Sequence, residues 1–442
     1  MFLTEEELVN NTETKKFSQN VSSSYHLEDR NKNVPKLRFK GYNDEWVEYQ
    51  LGKICKTYSG GTPNVSNLNF YNGLIPFIKS GEIHSNQTAM YITEEGLKNS
   101  SAKLVNKGDL LFALYGATSG EVDISKIDGA INQAILCVKS NYINLIFLKE
   151  ILSFNKNKIL CKYLQGGQGN LSADIFKTLK FKFPTLREQE KIASFLTLID
   201  KKIEKQKELV ELLKKYKRGL LSQIFSQNLR FKDNNGNDYP AWEEKTINNI
   251  FDTVTDFVAA GSFADLRKNV LYNEKPDFAQ LVRTVDLKNN FKNKDFVFVN
   301  KSAYKYLWRV NLNEDALILP NIGANIGEVY YIYSFKLPYK NNVLGPNAIL
   351  LKSSNNDLYY LYSGCLTDNF RKQLFLQVGA SGQPKFNKTD FKKIKIKISI
   401  NIDEQSKISK FLSKIDDKIQ QEECKLNNLQ THKQGLLQQM FI

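Results

Sequence analysis

The repeat that decides the fold consists of residues 188–225, EQEKIASFLTLIDKKIEKQKELVELLKKYKRGLLSQIF, and residues 404–441, EQSKISKFLSKIDDKIQQEECKLNNLQTHKQGLLQQMF. Both stretches carry glutamate-glutamine, isoleucine, phenylalanine-leucine, isoleucine-aspartate and glycine-leucine-leucine at the same spacing. The offset is 216 positions throughout, as from Glu188 to Glu404. A repeat of this length indicates that one structural unit occurs twice in the chain.

Both stretches also place an apolar residue at every third or fourth position, which is the heptad pattern of a coiled coil. Lys217 and Lys433 interrupt the two seams at equivalent positions, as do Gln206 and Glu422. Polar residues in a seam fix register and partner, so changing both lysines to leucine is expected to stabilise the pair and loosen its register. We expect the two helices to pair with each other in antiparallel orientation. The alternative is that each helix packs only on its own domain.

A second, shorter repeat begins each copy: Leu-Arg-Phe-Lys at 37–40 and at 229–232, followed by Trp46 and Trp242. The first helix stretch runs almost directly into the second Leu-Arg-Phe-Lys, so the end of the chain is expected to lie beside residue 37. The expected divisions are a polar N-terminal extension at 1–33, a first variable domain at 34–184, a first spacer helix at 185–228, a second variable domain at 229–398 and a second spacer helix at 399–442.

The variable domains have the pattern of mixed α and β structure. Residues 180–183 and 393–398 alternate basic and apolar side chains, which predicts half-buried strands with a basic outer face. Residues 110–114 and 316–319 are apolar runs that lead into glycine-containing turns, as buried strands do. The predicted fold class is α+β: two mixed α/β domains in tandem repeat, each followed by a long helix, with the helices forming an antiparallel coiled coil of pseudo-two-fold symmetry.

Composition limits the classes of protein that the chain can belong to. Its 442 residues are too many for one ordinary core, and its net charge of +15 indicates a polyanionic partner, with nucleic acid first. Most of that surplus lies in the variable domains, which are therefore the expected DNA-facing surfaces. The five cysteines have no C-x-x-C spacing, which argues against a disulfide framework and a structural zinc site. No stretch is apolar enough to span a membrane, and we expect a cytoplasmic protein.

Common catalytic signatures of DNA enzymes are missing from the sequence. There is no G-x-x-x-x-G-K-[ST] for ATP, and no adjacent pair of prolines of the kind that the usual adenine methyltransferases use to clamp a flipped base. One weak match to a nuclease exists, because Asp277, Asp286 and Lys288 have the PD…(D/E)xK spacing that holds a metal. A stand-alone, metal-dependent, site-specific nuclease is therefore the alternative function. The first copy has His84 where Lys288 stands, which weakens this interpretation.

Taken together, these residues resemble the specificity subunit of type I restriction-modification systems over nearly everything from residue 34 onward. The resemblance rests on SGGTP at 59–63, YNG at 71–73, IPFIKSGEI at 75–83 and the helix starts EQEKIA at 188–193 and EQSKI at 404–408. The second variable domain departs from it, with AGSF at 260–263 in place of SGGTP, as expected if it reads a different half-site.

The resemblance implies a non-catalytic adaptor for double-stranded DNA. Each variable domain would be a target-recognition domain that reads one half of a split sequence, and the helices would set the gap. Two modification subunits, which use S-adenosylmethionine, and two restriction subunits, which use ATP and Mg²⁺, would assemble around it. The resemblance implies no cofactor and no metal bound by this chain.

Candidate reading residues lie where predicted strands end and turns begin, because direct readout needs paired donors and acceptors at the major groove. Arg283 is the leading candidate, since arginine can bond a guanine edge with two hydrogen bonds. The alternative for each residue is hydrogen bonding within its own domain. Candidates for base contacts are Lys79, Ser80, Glu82, Tyr115, Thr118, Arg283, Thr284, Asp286, Asn321 and Asn325. Candidates for contacts to the DNA backbone are Gln168, Asn170, Gln383 and Lys385.

Overall fold

The computed structural model divides the chain into two compact units. The described residues are 2–3, 34–163, 170–379 and 384–442. The first unit comprises Met1–Gln206 with Lys425–Ile442, and the second comprises Lys207–Cys424. Each unit thus holds one variable domain together with a segment of each long helix.

The two repeated stretches are helices, as the heptad pattern predicted. The first spacer helix is Leu186–Phe225 and the second is Ile402–Met440. Neither contains a proline, so no backbone hydrogen bond of the helix is lost in its interior.

The first unit contains two four-stranded sheets and two two-stranded pairs. One sheet has the strand order Lys56–Ser59, Ile135–Lys139, Leu110–Ala113, Val122–Ile124, and the other has the order Tyr91–Ile92, Tyr71–Ile78, Gly129–Ile131, Lys103–Val105. Lys180–Phe183 pairs with Val47–Gln50, and Phe2–Leu3 pairs with Arg38–Phe39. The helices are Leu51–Ile54, Glu94–Lys98, Leu145–Tyr163 and Ala173–Thr178, with 3₁₀ turns at Leu68–Phe70, Ser80–Glu82 and Gly116–Thr118.

The second variable domain repeats this plan. Its four-stranded sheet has the order Thr253–Asp256, Ala348–Lys352, Ala316–Pro320, Tyr330–Ile332, and its three-stranded sheet has the order Val297–Val299, Ala279–Val282, Asn342–Leu344. Glu243–Thr246 pairs with Lys395–Ile398. The helices are Ile247–Ile250, Phe263–Asn269, Thr284–Lys288, Lys301–Tyr306, Leu358–Cys365, Asp368–Leu376 and Lys388–Phe391, with 3₁₀ turns at Phe257–Ala260, Trp308–Val310 and Ser334–Lys336.

The strand patterns in the sequence correspond to burial in the structure. In Lys395–Ile398 both lysines are exposed and both isoleucines are buried, as the alternation predicted. Leu110–Ala113 and Ala316–Pro320 are buried along their whole length and occupy inner positions of their sheets. The mixed α/β tandem repeat that the sequence predicted is therefore confirmed.

The repeated glutamate at the start of each spacer helix is buried and accepts hydrogen bonds from its own copy. In the first unit Arg38 donates two hydrogen bonds of 2.7 Å to the two carboxylate oxygens of Glu188, and both side chains are buried. In the second unit Glu404 instead accepts from the indole of Trp242 at 3.0 Å and from Ser399 at 2.6 Å. The glutamate thus ties the start of its helix to the short repeat that begins its own copy, through Arg38 in the first and Trp242 in the second.

The repeated glutamine beside it anchors a second helix. The side-chain oxygen of Gln189 accepts from the Asn144 amide at 3.0 Å, and that of Gln405 accepts from the Asp357 amide at 2.8 Å. Asn144 and Asp357 immediately precede Leu145–Tyr163 and Leu358–Cys365, so they are equivalent positions in the two copies.

The end of the chain lies beside residue 37, as the circular arrangement of the repeats predicted. The Leu37 amide donates to the Gln439 carbonyl at 3.0 Å in the first unit. The Leu229 amide donates to the Gln223 carbonyl, also at 3.0 Å, in the second. The same contact is therefore made once between residues close together in sequence, Gln223 and Leu229, and once between Leu37 and the end of the second spacer helix.

An equivalent aspartate–lysine pair joins the two helices inside each unit. Lys433 lies 2.6 Å from Asp200 in the first unit, and Lys217 lies 2.6 Å from Asp416 in the second. Lys214, which precedes Lys217 in the first spacer helix, lies 2.9 Å from Glu423, which follows Asp416 in the second. The two helices therefore run antiparallel in this unit.

The surroundings of Lys433 change the expected effect of replacing this lysine with leucine. Besides Asp200, Lys433 lies 2.9 Å from the buried carboxylate of Glu150. Lys149 is a second cation in this group, 2.7 Å from Glu150 and 3.5 Å from Asp200. Without Lys433, two carboxylates share one cation, and this excess of negative charge beside a buried carboxylate costs more than the apolar seam gains. Leucine at this position is therefore expected to destabilise the first unit, contrary to the expectation from the heptad pattern alone.

We predict that Lys433→Leu lowers the free energy of unfolding by about 3 kcal/mol, because the carboxylates of Glu150 and Asp200 are left with Lys149 as their one cation. Chemical denaturation of the full chain measures this change. Lys410→Leu, at an exposed position of the same helix, is the control and is expected to have little effect. A variant at 433 that is as stable as the parent would contradict this role of the lysine.

Candidate nucleic-acid interface

The first predicted reading turn is held in shape by Glu82. The turn follows strand Tyr71–Ile78, and Lys79 begins it at an exposed position. The Glu82 carboxylate accepts from the amides of Lys79 at 3.1 Å and Ala89 at 2.9 Å, and from the Thr88 hydroxyl at 3.0 Å. Burial acts to raise the pKa of Glu82, but these donors outweigh it and hold the pKa below its ordinary value.

The equivalent turn of the second domain is built in the same way. Strand Ala279–Val282 ends at Arg283, and the Asp286 carboxylate accepts from the Arg283 amide at 2.8 Å. Asp286 is fully buried and also accepts from Asn293 at 2.7 Å. Sequence reasoning proposed Asp286 as a base contact, but the burial of its carboxylate makes it a residue that shapes the turn.

The guanidinium group of Arg283 is oriented by two carboxylates. Its Nη2 lies 2.8 Å from Asp286 Oδ1, 3.3 Å from Asp295 Oδ2 and 2.6 Å from the Asp295 carbonyl. The hydrogen bond to Asp286 is the main reason that the pKa of Arg283 lies above its ordinary value. The side chain keeps 27% of its surface exposed. Arg283 is therefore half-buried, charged and restricted in direction.

Three segments that follow strands of the second domain lie next to one another: 283–288, 321–325 and 345–347. Segment 345–347 bonds to two of the strand ends, since the Gly345 amide donates to Val282 at 2.8 Å and the Asn347 carbonyl accepts from the Asn321 amide at 3.1 Å. Lys288 donates to the Asn325 side chain at 3.0 Å. We call this group of adjacent strand ends an edge of the domain. It contains the predicted residues Arg283, Thr284, Asn321 and Asn325.

Lys385 lies next to this edge. The Phe386 amide donates to the Asn321 carbonyl at 3.1 Å, and the Gly323 amide donates to the Pro384 carbonyl at 3.0 Å. The Lys385 side chain is exposed. Asn321 keeps a buried side-chain oxygen that has no hydrogen-bond partner among the described residues.

The first domain has a corresponding edge. Tyr115 and Thr118 lie in the turn after strand Leu110–Ala113, where the Thr118 hydroxyl donates to the Tyr115 carbonyl at 3.3 Å. Asn170 is exposed and precedes Leu171, whose amide donates to Leu114 at 2.9 Å. The other two backbone candidates, Gln168 and Gln383, lie outside the described residues.

His84 connects the two turns of the first domain, a feature that the sequence did not reveal. Its Nδ1 lies 2.9 Å from Asp123 and its Nε2 lies 3.3 Å from Glu121, while Lys126 donates to its carbonyl at 2.7 Å. Glu121 also accepts from Lys156. His84 takes the place that Lys288 has in the second domain, so a cation bridges the two turns in both copies when the imidazole is protonated.

Asp277, Asp286 and Lys288 are not grouped as a metal site among the described residues. Asp286 is buried against Arg283, and Asp277 accepts from Asn273 at 2.6 Å. Within the part of the chain that the structure describes, no three side chains of histidine, cysteine, aspartate or glutamate are arranged to hold a metal ion.

Two similar domains with polar strand-end edges, mounted on paired helices and carrying excess positive charge, define a class of bipartite DNA-recognition protein. The family model of the type I restriction modification DNA specificity domain matches the chain twice, over residues 43–214 and 223–431. The chain therefore belongs to the family of type I restriction-modification DNA specificity proteins.

Two relatives are similar over most of their length. The chain is 25% identical to the MjaIX specificity subunit of Methanocaldococcus jannaschii, covering 77% of this chain and 80% of the relative. It is 22% identical to the MjaVIII specificity subunit of the same organism, over 90% and 92% of the two chains. The solved S subunit from M. genitalium has a similar fold, with a TM-score of 0.55 at 16% identity, over 92% of this chain and 99% of that one.

These findings confirm the resemblance that the sequence suggested. The chain is a type I specificity subunit with two recognition domains in tandem, a DNA-recognition component and not an enzyme. They give no support to the nuclease alternative. Among the described residues, no helix is both long and apolar enough to cross a membrane.

We predict that His84 stabilises the first domain in a pH-dependent manner. Its hydrogen bond with Asp123, more than any other contact, raises its pKa above the ordinary value of 6.5. The stabilisation is complete below the ordinary pKa and is lost as the pH rises through the higher folded-state pKa.

The melting temperatures of the parent and of His84→Gln, measured between about pH 5.5 and about pH 8.5, test this relation. The difference between the two proteins should be largest at the acidic end and should shrink as the pH rises. A difference that is constant or grows with pH would show that the imidazole does not act as a charged bridge.

Proposed function

We propose that each variable domain reads one half of a split sequence in double-stranded DNA and that the paired helices fix the gap between the halves. The observation that carries this proposal is that one strand-end edge is built twice from the same backbone plan with different side chains. Lys79 and Ser80 stand in the first domain where Arg283 and Thr284 stand in the second. A duplicated frame with different side chains suits the reading of two different half-sites.

In the second domain we assign base readout to Arg283, Thr284, Asn321 and Asn325. Arginine and asparagine present paired hydrogen-bonding groups that match the major-groove edges of guanine and adenine. Arg283 is already oriented by Asp286 and Asp295, so less side-chain entropy is lost on binding. In the first domain the corresponding readers are Lys79, Ser80, Tyr115 and Thr118.

The remaining candidates have supporting roles in this proposal. Glu82 and Asp286 hold the two reading turns in shape by accepting hydrogen bonds from the amides of Lys79 and Arg283. Asn170 and Lys385 contact phosphates beside the edges, where a contact adds affinity without sequence information. Gln168 and Gln383, which lie outside the described residues, remain candidates for phosphate contacts. The helices are rigid enough to act as spacers, since the 40 residues of the first span about 60 Å.

The chain would act as the scaffold of a larger complex. In the proposed assembly it holds two modification subunits and two restriction subunits in the cytoplasm. The modification subunits would supply S-adenosylmethionine for methyl transfer, and the restriction subunits would supply ATP hydrolysis and Mg²⁺-dependent cleavage. This chain contributes DNA recognition and holds the partners in place.

Mapping of methylated adenines across a genome tests this function. Cells that express the chain with its modification subunit should show a split motif with a fixed gap, and cells that lack only this chain should not. Exchanging residues 46–184 for those of a relative should change one half of the motif and leave the other half and the gap unchanged. Methylation that is the same with and without the chain would refute the proposal.

We predict a specific effect for Arg283→Lys. Lysine keeps a positive charge beside the buried Asp286 but loses the two-pronged donor, so discrimination at one base pair of the second half-site should fall by about ten- to a hundredfold. Competition binding with single-base variants of the site measures this change.

Lys385→Ala provides the contrast for that measurement. A phosphate contact carries no sequence information, so this variant should weaken binding to all sites equally and reduce the slope of log K against log salt by about 1. If Arg283→Lys also weakened all sites equally, Arg283 would be a backbone contact and its assignment as a base reader would be wrong.

A further inference from the structure

The second unit contains a cavity of about 640 Å³ that the reading edges do not use. One wall is the second half of the first spacer helix, from Lys214 to Ser226. The other walls are the second spacer helix at Asp416 and Ile419, the start of helix Asp368–Leu376 and the strand pair of Glu243–Thr246 with Lys395–Ile398. The cavity therefore lies where the spacer helix meets the recognition domain within this unit.

Positive charge dominates the lining. Six cationic and three acidic side chains face the cavity. The cationic residues are Lys214, Lys217, Arg218, Arg371, Lys395 and Lys397, and the acidic residues are Glu244, Asp368 and Asp416. An opening of this kind attracts an anionic ligand.

Three of the cations already have carboxylate partners. Lys217 lies 2.6 Å from Asp416, Lys214 lies 2.9 Å from Glu423, and Lys395 lies 3.8 Å from Glu244.

The other three cations are Arg218, Arg371 and Lys397. Among the described residues, no carboxylate oxygen lies within 4.0 Å of their charged nitrogens. All three residues are exposed and can be reached by a ligand.

The cavity also has an apolar floor. Leu221, Phe225, Leu366, Ile396 and Ile419 line it between the charged residues. A ligand that fills the cavity well must therefore bring apolar groups as well as negative charge.

The first unit has bulkier residues at two positions equivalent to the lining of this cavity. Counting from the matched pair Asn144 and Asp357, Gly364 corresponds to Ile151 and Thr367 corresponds to Phe154. Phe154 packs against Phe441, with ring centroids 6.0 Å apart. By contrast, a methyl group added at Gly364 would lie only 3.0 Å from the ring of Phe225. The residues that shape this cavity therefore differ between the two units.

We propose that this cavity binds an acidic, partly apolar segment of a protein partner of the complex. The proposal rests on the proposed function, in which the chain is a scaffold, and it names one surface of that scaffold. Acidic side chains of the segment pair with Arg218, Arg371 and Lys397, and its apolar side chains cover the floor. DNA fits the site less well, because a phosphate backbone has no apolar groups to place against Leu221 and Ile396.

Site-specific photo-crosslinking identifies the occupant directly. A benzoylphenylalanine residue is placed at Ser222, an exposed position of the lining, in the full chain assembled with its modification subunit and DNA. We expect a crosslink to an acidic segment of the partner protein, and the same group at Lys215 should not capture that segment. A crosslink to DNA, or none to protein, would overturn the proposal.

Charge reversal measures the strength of the contact. The triple variant Arg218→Glu, Arg371→Glu and Lys397→Glu should weaken binding of the modification subunit by about tenfold or more, with a smaller dependence on salt. A matched triple variant, Lys215→Glu, Lys372→Glu and Lys410→Glu, changes the net charge equally outside the cavity and should have less than about a threefold effect.

Equal effects of the two triple variants, or no effect of either, would refute the cavity proposal. The genome-wide methylation map separates this failure from failure of the proposed function. A split motif that depends on the parent chain would still establish DNA recognition, even if nothing binds in the cavity.

Discussion

The structure depends on the burial of one helix end inside each domain core. In the first unit Phe441, the penultimate residue of the chain, packs against Trp46 and Phe147 with ring centroids 6.5 Å and 5.5 Å away. In the second unit Phe225 packs against Trp242 and Tyr360 at 5.7 Å and 5.4 Å. Each core contains residues from both spacer helices, so neither variable domain can complete its core without the pairing of the helices.

This constraint explains why the most visible sequence motifs are structural. Glu188 and Gln189 fix the helix start to Arg38 and to the Asn144 amide, and Glu404 and Gln405 do the same work in the second unit. These contacts must be made in both copies, and so the residues are repeated. At the proposed reading edges the backbone contact is also repeated, from Lys79 to Glu82 and from Arg283 to Asp286, but the proposed reading side chains differ between the copies.

The sequence was therefore a good guide to the frame and a limited guide to the site. Helix periodicity, strand alternation and the offset between copies predicted the elements and the edges. Burial of Asp286 could not be predicted, because it depends on Asn293 and on how the turn folds back. The position of His84 between Glu121 and Asp123 depends in the same way on a contact between separate turns.

The same limit explains the reversed expectation for the seam lysines. Lys433 looked like an interruption of an apolar seam because the heptad pattern describes only the two helices. Glu150 comes from a third helix, Leu145–Tyr163, far away in sequence, and no local pattern links it to position 433. Because the Glu150 carboxylate is buried, the positive charge of Lys433 stabilises the folded unit.

The two units satisfy the helix-borne aspartate in different ways. Around Asp200 the first domain supplies Lys149 and Glu150, which form a charged network with Lys433. Around Asp416 the second domain supplies the hydroxyl of Tyr359 beside Lys217. Burial, together with the hydrogen bond to Asp416, raises the pKa of Tyr359 far above its ordinary value, so the hydroxyl stays protonated and donates.

The Tyr359 hydroxyl in the second unit and the Lys149–Glu150 pair in the first can take equivalent places, because both units keep the aspartate–lysine pair between the helices. The frame supplies a balanced ion pair, and each domain adds groups that satisfy the remaining hydrogen-bonding positions without changing that balance. Two domains with different side chains can thus be joined to one type of helix. The physical requirement on a new recognition domain is then limited: it must complete the core at the helix end and satisfy this aspartate, while its reading edge is free to vary.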